Sequence, residues 1–147
     1  MNLDPIAIRE ARQCPYCGGW TRTIDSALIY NGQGFGWVVA CAKWPACQAW
    51  VGCHRGTTNP LGRLADYELR KAKMEAHSWF DRLWKKKYRM QQAEAHRRRT
   101  EAYAWLAKAM GLRVKECHIG WFDIEKYREV VRLCKERARA KVPQGAI

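Results

Sequence analysis

Four cysteines near the start of the chain occur as two close pairs, and this spacing restricts how the first third can fold. The first pair, Cys14 and Cys17, lies in the run Cys-Pro-Tyr-Cys-Gly-Gly, and the second pair is Cys41 and Cys47. Two thiolates on one tight turn, followed by glycines whose N–H groups can face the sulfurs, are typical of a zinc knuckle. Because two such pairs supply four sulfur ligands, the spacing predicts one structural zinc ion.

The residues between the two pairs predict a β-hairpin. Residues 27–30 and 35–40 are rich in β-prone side chains, and the Asn-Gly-Gln-Gly run at 31–34 is a strong turn signal. A hairpin with a cysteine pair at each end brings four sulfurs to one point, which is how a zinc ribbon is built.

Disulfides are the alternative use of these cysteines, and the sequence argues against them. The total of seven cysteines is odd, we expect no secretory signal peptide, and reducing compartments keep thiols free. The sequence therefore predicts a zinc protein of the cytoplasm. No apolar run approaches the roughly 20 residues needed to cross a bilayer, so we expect no membrane insertion.

Beyond residue 58 the sequence predicts helices. The first has a Thr-Thr-Asn cap at 57–59 and Pro60 at its first position, and it runs to about Lys87. The second ends at Gly111, and the third begins after Asp123. The apolar face of the third helix is formed by Tyr127, Val130, Val131, Cys134 and Ala138. The predicted fold is α+β, with a zinc ribbon at residues 1–58 packed on a bundle of about three helices at residues 59–147, as one compact unit.

The charge of the chain predicts a polyanionic partner. Lysine and arginine number 27 against 14 acidic residues, a formal net charge of +13. The densest cluster has a single acid, Glu94, among eight cations: Arg82, Lys85, Lys86, Lys87, Arg89, Arg97, Arg98 and Arg99. Such a run is compatible with a solvated helix surface, but its self-repulsion would be relieved by phosphates. We therefore expect nucleic acid as the partner, DNA rather than RNA.

Aromatic residues in the ribbon offer a second means of binding nucleic acid. Six of them lie within this small module: Trp20, Tyr30, Phe35, Trp37, Trp44 and Trp50. Exposed rings near Arg22 and Lys43 can stack on unpaired bases, whereas buried rings would form the contact with the helices. Trp44 lies in the second cysteine loop, so we predict it as the main stacking residue.

The cysteine motifs resemble those of two known groups. The pattern Cys-Pro-x-Cys-Gly-Gly, then Cys-x-x-Trp-Pro-x-Cys, is similar to the C-terminal zinc ribbons of bacterial type IA DNA topoisomerases, which are associated with single-stranded DNA. The longer pattern resembles a family of small zinc-finger-containing proteins of unknown function from phages, prophages and bacteria. It includes Trp-Val-Gly-Cys-His at 50–54, Pro-Leu-Gly-Arg-Leu-Ala-Asp at 60–66 and Cys-His-Ile-Gly at 117–120. The resemblance implies a zinc protein of the bacterial cytoplasm, or of the host cytoplasm if a phage encodes it.

A second group of cysteines and histidines has two interpretations. Its members are Cys53, His54, His77, Cys117, His118 and Cys134. Thiolate and imidazole suit zinc, so they form a second candidate metal site. The alternative is that the cysteines pack as small buried residues and the histidines form hydrogen bonds inside the fold.

Three functions are compatible with these observations. The sequence favours a nucleic-acid-binding module over an adaptor or inhibitor, such as a phage protein, that docks on an acidic host protein. A metal-dependent nuclease or hydrolase would need a site such as His54, His77, His118 and Asp81 with an open metal position. Acidic residues are sparse and no nucleotide-binding loop or nucleophile motif occurs, so we expect no enzymatic activity.

Overall fold

The computed structural model describes residues 2–140 and divides into two compact units, with the boundary between Arg70 and Lys71. The first unit holds a short helix, α1 (Pro5–Arg9), and three strands, β1 (Thr21–Asp25), β2 (Trp37–Cys41) and β3 (Trp50–Gly52). Three further helices follow: α2 (Tyr67–Asp81), α3 (Gln92–Met110) and α4 (Ile124–Ala140). The predicted α+β class, a cysteine-bearing sheet followed by about three helices, is confirmed.

The three strands form one antiparallel sheet in the order β1-β2-β3. Thr21 pairs with Cys41 at one end of the first ladder, and Asp25 pairs with Trp37 at the other. Because side chains alternate along a strand, the sheet has two faces with different contents. One face packs Val39, Cys41 and Val51 into a small core with Leu64.

The opposite face of the sheet, which we call the aromatic face, carries a hydrophobic cluster that includes two tryptophans. Ile24, Val38 and Ala40 form its buried centre, and Ile29, Trp44 and Trp50 pack on them as partly buried side chains. The two faces are therefore distinct: the cysteines lie on one, and most of the aromatic rings lie on the other.

The first strand of the hairpin was predicted in the wrong place. Residues 27–30 belong to the connection between β1 and β2, which starts with a short 3₁₀ turn, Ser26–Leu28. The Asp25 carboxylate accepts a hydrogen bond from the Ala27 N–H at 2.8 Å, and this cap ends the strand. The turn signal itself was correct, since Asn31 and Gly32 both have positive φ. The strand lies earlier, where Thr21, Thr23 and Ile24 supply β-branched side chains.

Helix α2 is shorter than predicted at both ends. Residues 57–66 were expected to begin the helix, but their backbone bonds to the sheet instead: Leu61 N–H donates to Gly52 at 2.9 Å, and Ala65 exchanges hydrogen bonds with Trp50. The cap is Asp66, whose carboxylate accepts from the Leu69 N–H at 2.8 Å. The helix ends at Asp81 rather than at Lys87.

The predicted C-terminal cap of α3 and the predicted N-terminal cap of α4 are both present, but Ala138 was wrongly placed on the buried face of α4. Helix α3 ends at Gly111, whose φ of 69° is the left-handed conformation that glycine adopts without strain. Helix α4 follows Asp123, whose carboxylate accepts from the Lys126 N–H at 2.9 Å. On α4, Tyr127, Val130 and Cys134 are buried as expected, Val131 is half-buried, and Ala138 is exposed.

The second unit is held by an ordinary apolar core. Its largest fully buried side chains include Phe80 of α2, Leu106 of α3 and Val130 of α4, with Ile119 from the α3–α4 connection. Of the described residues, no helix is long and apolar enough to cross a membrane.

Replacing Leu106 by alanine is expected to lower the free energy of unfolding by about 2–5 kcal/mol, because it leaves a cavity in the buried centre of this unit. Leu28→Ala is the matched control, since Leu28 is 64% exposed, and we expect it to change stability by less than about 0.5 kcal/mol. Urea denaturation followed by far-ultraviolet circular dichroism measures both. Equal stabilities for the two variants would contradict the assigned core.

Candidate functional site

The sulfur atoms of Cys14, Cys17, Cys41 and Cys47 lie together in the first unit, all within 4.8 Å of one another. Two of the separations are 3.7 Å, between Cys14 and Cys47, and 3.4 Å, between Cys17 and Cys41. Four sulfurs at about 2.3 Å from a tetrahedral zinc ion would be about 3.8 Å apart. The side chains present therefore fit a zinc ion, and the prediction of a structural zinc site is confirmed.

Two turns and one strand end place these sulfurs. In the first turn, Gly18 N–H donates to the Cys14 carbonyl at 3.0 Å, and Cys14 N–H donates to the Gly19 carbonyl at 2.8 Å. Cys41 is the last residue of β2, and a turn returns the chain to Cys47, whose N–H donates to the Lys43 carbonyl at 3.2 Å. The cysteine on the strand thus joins the ligand set to the sheet.

The buried side chain of Gln13 stabilises the first turn through hydrogen bonds. The Gln13 side-chain amide donates to the Gly18 carbonyl at 2.9 Å and to the Asn2 carbonyl at 2.8 Å, and its oxygen accepts from the Asp4 N–H at 2.8 Å. Since a buried amide must be hydrogen-bonded to be stable there, Gln13 holds the turn and the N-terminal segment in one arrangement.

Backbone N–H groups face two of the sulfurs, as the glycine motif predicted. Gly19 N–H lies 3.4 Å from the Cys17 sulfur, and Lys43 N–H lies 3.5 Å from the Cys41 sulfur. The Gly19 N–H lowers the pKa of the Cys17 thiol to about 7. A Cβ atom at Gly19 would lie 3.3 Å from that sulfur, so the absence of a side chain lets the backbone approach.

Burial has the opposite effect on the two cysteines with no exposed surface. It raises the pKa of Cys14 to about 12 and also raises the pKa of Cys41. Zinc must replace these protons, so binding releases them and stabilises the folded unit at the same time. Four buried or half-buried thiolates complete a closed coordination sphere, which is the form of a structural site rather than a catalytic one.

The second predicted group of cysteines and histidines does not form such a cluster. Within residues 2–140, the four sulfurs above are the one group of three or more candidate ligands close enough to hold an ion. Cys117 and Cys134 are buried, and burial raises the pKa of each thiol to about 11. Burial likewise raises the pKa of Cys53 and lowers that of His77. These groups are neutral near pH 7, as expected of packed side chains.

The predicted phosphate-binding cations form the corner between α2 and α3, which we call the basic corner. It comprises Arg82, Lys85, Lys86, Lys87, Arg89, Arg97, Arg98 and Arg99. Seven of these side chains are exposed, and Arg98 is half-buried because its guanidinium donates to the Trp84 carbonyl at 2.9 Å. That bond ties the start of α3 to the segment that leaves α2, so the cations of both are held near one another.

The structure places the predicted stacking residue in a different environment from the one expected. Trp44 packs against the centre of the aromatic face and is half-buried, while Arg22 donates to its carbonyl at 3.5 Å and Lys43 is exposed. The most exposed of the six rings are Trp20, at 69%, and Phe35, at 72%. Sequence reasoning placed both among the candidates but did not rank them first.

The aromatic rings of this face are arranged edge to face. Tyr30 lies 5.3 Å from Phe35 and 5.7 Å from Trp50 between ring centroids, with planes nearly perpendicular. The Arg70 guanidinium lies over the Trp50 ring at 4.6 Å. These contacts hold the rings of Tyr30 and Trp50, whereas the ring of Phe35 stays largely exposed.

Comparison with known proteins gives one match. The chain fits the profile of a family described as a zinc-finger-containing domain over residues 10–137. Neither a curated protein nor a solved structure is significantly similar to it. The resemblance to topoisomerase ribbons and the phage origin therefore stay predictions.

Replacing Cys41 by serine is expected to abolish tight zinc binding and unfold the first unit, because metal binding supplies much of the folding free energy of so small a sheet. Cys53→Ser is the matched control and should keep its zinc, since Cys53 is not one of the four ligands. Elemental analysis by mass spectrometry after dialysis measures the zinc bound per chain. A Cys41→Ser protein that keeps its zinc would contradict the assigned site.

Proposed function

The chain belongs to the family of zinc-finger-containing domains, and from this premise we propose that it binds nucleic acid, DNA in preference to RNA. The zinc ion supports the fold, and the binding surfaces lie elsewhere. We propose a binding protein rather than an enzyme because four thiolate ligands leave the metal no open position for a substrate or water.

The observation that carries this proposal is the uneven distribution of charge between the two units. Residues 1–70 contain 7 basic and 5 acidic side chains, a net charge of +2, whereas residues 71–147 contain 20 basic and 9 acidic, a net of +11. A field of this strength on a small helical unit attracts polyanions and accelerates their association. The second unit is therefore the one that would contact phosphates.

Within that unit the basic corner is the least neutralised region. In the described part of the chain, Lys86, Lys87, Arg89 and Arg97 make no ion pair, and Lys85 pairs with Asp81 at 3.1 Å. Exposed like charges held close together repel one another, and bound phosphates would remove that repulsion while releasing counterions. Both effects favour a nucleic-acid backbone at this corner.

Helix α4 also carries six cations, and two of them have acidic partners. Arg132 contacts Glu136 at 3.1 Å and Glu129 at 4.0 Å, and Lys126 contacts Asp123 at 3.8 Å. Ion pairs within one helix are usual for a solvated surface. Residues 124–140 contain six cations and three acids, a net charge of +3, whereas residues 82–99 contain eight cations and one acid, a net charge of +7. We therefore assign phosphate binding to the basic corner and not to α4.

The aromatic face of the sheet is the proposed site for bases. Arg22 lies on β1 between Trp20 and Ile24. Because side chains alternate between the two faces of a sheet, all three lie on the aromatic face. Large exposed rings beside a cation are the usual platform on which single-stranded bases stack, because every base has a π-face. Trp20 is thus the preferred stacking residue, in place of Trp44.

A protein partner is the second candidate, and one observation favours it. Leu28 is 64% exposed and Phe35 is 72% exposed, and both belong to the connection between β1 and β2. Exposed apolar side chains of this kind also suit a protein–protein contact, and the basic corner would suit an acidic protein, as an adaptor or inhibitor requires.

The basic corner should set the salt dependence of binding. Changing Lys86, Lys87 and Arg89 together to glutamine is expected to reduce the slope of log affinity against log salt by about 2–3, because three phosphate contacts are lost. The matched control changes Arg128, Arg132 and Arg139 of α4, which removes the same charge. Fluorescence anisotropy with labelled DNA across a salt series measures both. An equal effect of the two triple variants would contradict the assignment to the corner.

Trp20 should contribute to the binding of single strands. Trp20→Ala is expected to weaken single-stranded DNA binding by roughly 1–3 kcal/mol, the usual contribution of one base–aromatic stack. Trp37→Ala is the matched control. Trp37 is also exposed, at 49%, but its side chain lies on the opposite face of the sheet, the face of Cys41. Zinc content should be unchanged in both. Unchanged affinity of Trp20→Ala, with binding otherwise intact, would remove the sheet from the interface.

A further inference from the structure

A pocket of about 300 Å³ lies in the second unit between α3 and the segment that follows it. Its helix wall carries His96, Arg99, Thr100 and Tyr103, whose spacing of three, four and seven residues places them on one face of α3. The opposite wall includes Cys117 and His118. The volume is at the lower end of the range for small-molecule sites and suits a ligand the size of one nucleotide.

The polar groups that line this pocket suit an anion. Two imidazoles, a guanidinium and two hydroxyls can all donate hydrogen bonds, and no acidic side chain lines the pocket. Of the acids nearest along the chain, Glu94 accepts from the Tyr88 hydroxyl at 3.0 Å and Glu116 pairs with Arg113 at 2.8 Å. Glu101 follows Thr100 on α3 but does not line the pocket. The pocket therefore presents donors without competing carboxylates.

Arg99 lies over an aromatic ring of the pocket wall. Its guanidinium carbon lies 5.3 Å from the centroid of the Tyr103 ring, and that ring packs on Phe80 at 4.6 Å. Burial raises the pKa of Tyr103, although Arg99 opposes the shift, so the hydroxyl keeps its proton near pH 7. A positioned guanidinium loses little entropy on binding and suits the oxygen geometry of a phosphate.

Cys117 forms a buried part of the pocket wall. Its side chain is buried, and burial raises the pKa of the thiol to about 11. A thiol that stays protonated is a poor nucleophile, so the wall it forms is inert.

We propose that this pocket binds a phosphomonoester, specifically the terminal phosphate of a nucleic-acid strand. A terminal phosphate carries a charge of about −1.5 to −2 and three acceptor oxygens, more than a bridging phosphate offers to the same donors. Arg97 and Arg98 of the basic corner immediately precede Arg99 on α3, so a strand that follows the corner reaches the pocket at its end. That the phosphate belongs to a nucleic-acid strand rests on the proposed function, whereas the binding of a phosphomonoester in this pocket does not.

The test compares oligonucleotides of one sequence that end in a 5′-phosphate, a 3′-phosphate or hydroxyls only, with a nucleoside 5′-monophosphate as a separate probe. We expect one phosphorylated end to bind about tenfold more tightly than the hydroxyl end. His118→Gln and Thr100→Val should abolish that difference without changing affinity for the hydroxyl-ended strand. Both side chains are exposed, so neither variant should unfold the protein. Arg97→Gln is the control and should weaken all strands alike.

Each outcome decides the inference. Equal affinity for phosphorylated and hydroxyl ends would overturn it, and so would a preference that survives both pocket variants. If no strand binds but the mononucleotide binds and is lost in His118→Gln, the proposed function fails while the phosphate site stands. If neither strand nor mononucleotide binds, both fail.

Discussion

Coordination of one zinc ion by four thiolates is the constraint on which the first unit depends. Its strands are only five, five and three residues long, and a sheet this small buries too little apolar surface to offset the entropy of folding. The four sulfurs connect the N-terminal turn, the end of β2 and the turn before β3. Metal binding thus links three segments that are distant in sequence, and the small core around Leu64 adds to that stabilisation.

Because zinc coordination stabilises the first unit from one side of the sheet, this unit can leave large aromatic side chains exposed elsewhere. The rings of Trp20 and Phe35 are exposed, although burial of such rings would ordinarily be a main source of stability. The second unit has the opposite arrangement, since an apolar core of Phe80, Leu106 and Val130 supports a strongly basic surface. In both units, the surfaces proposed to bind nucleic acid are therefore distinct from the residues that stabilise the fold.

The sequence predicted well what depends on local chemistry and poorly what depends on distant partners. Cysteine spacing identified the metal ligands, and the caps at Gly111 and Asp123 located two helix ends, because each signal acts within a few residues. The first strand and the start of α2 were misplaced, since side-chain caps at Asp25 and Asp66 and pairing of residues 61 and 65 with β3 override local propensity. The sequence ranked Trp44 above Trp20, but Trp20 is the more exposed ring, because exposure depends on the whole fold. The pocket joins residues from α3 to residues about 20 positions later, a proximity that the pattern of the chain does not encode.

X-ray absorption at the zinc edge of the purified protein tests the central claim most directly, because it reports the ligand atoms and their distances. The account predicts four sulfur ligands at about 2.3 Å and no nitrogen or oxygen ligand. A spectrum with histidine or water in the coordination sphere, or protein that contains no zinc and keeps its sheet, would contradict it.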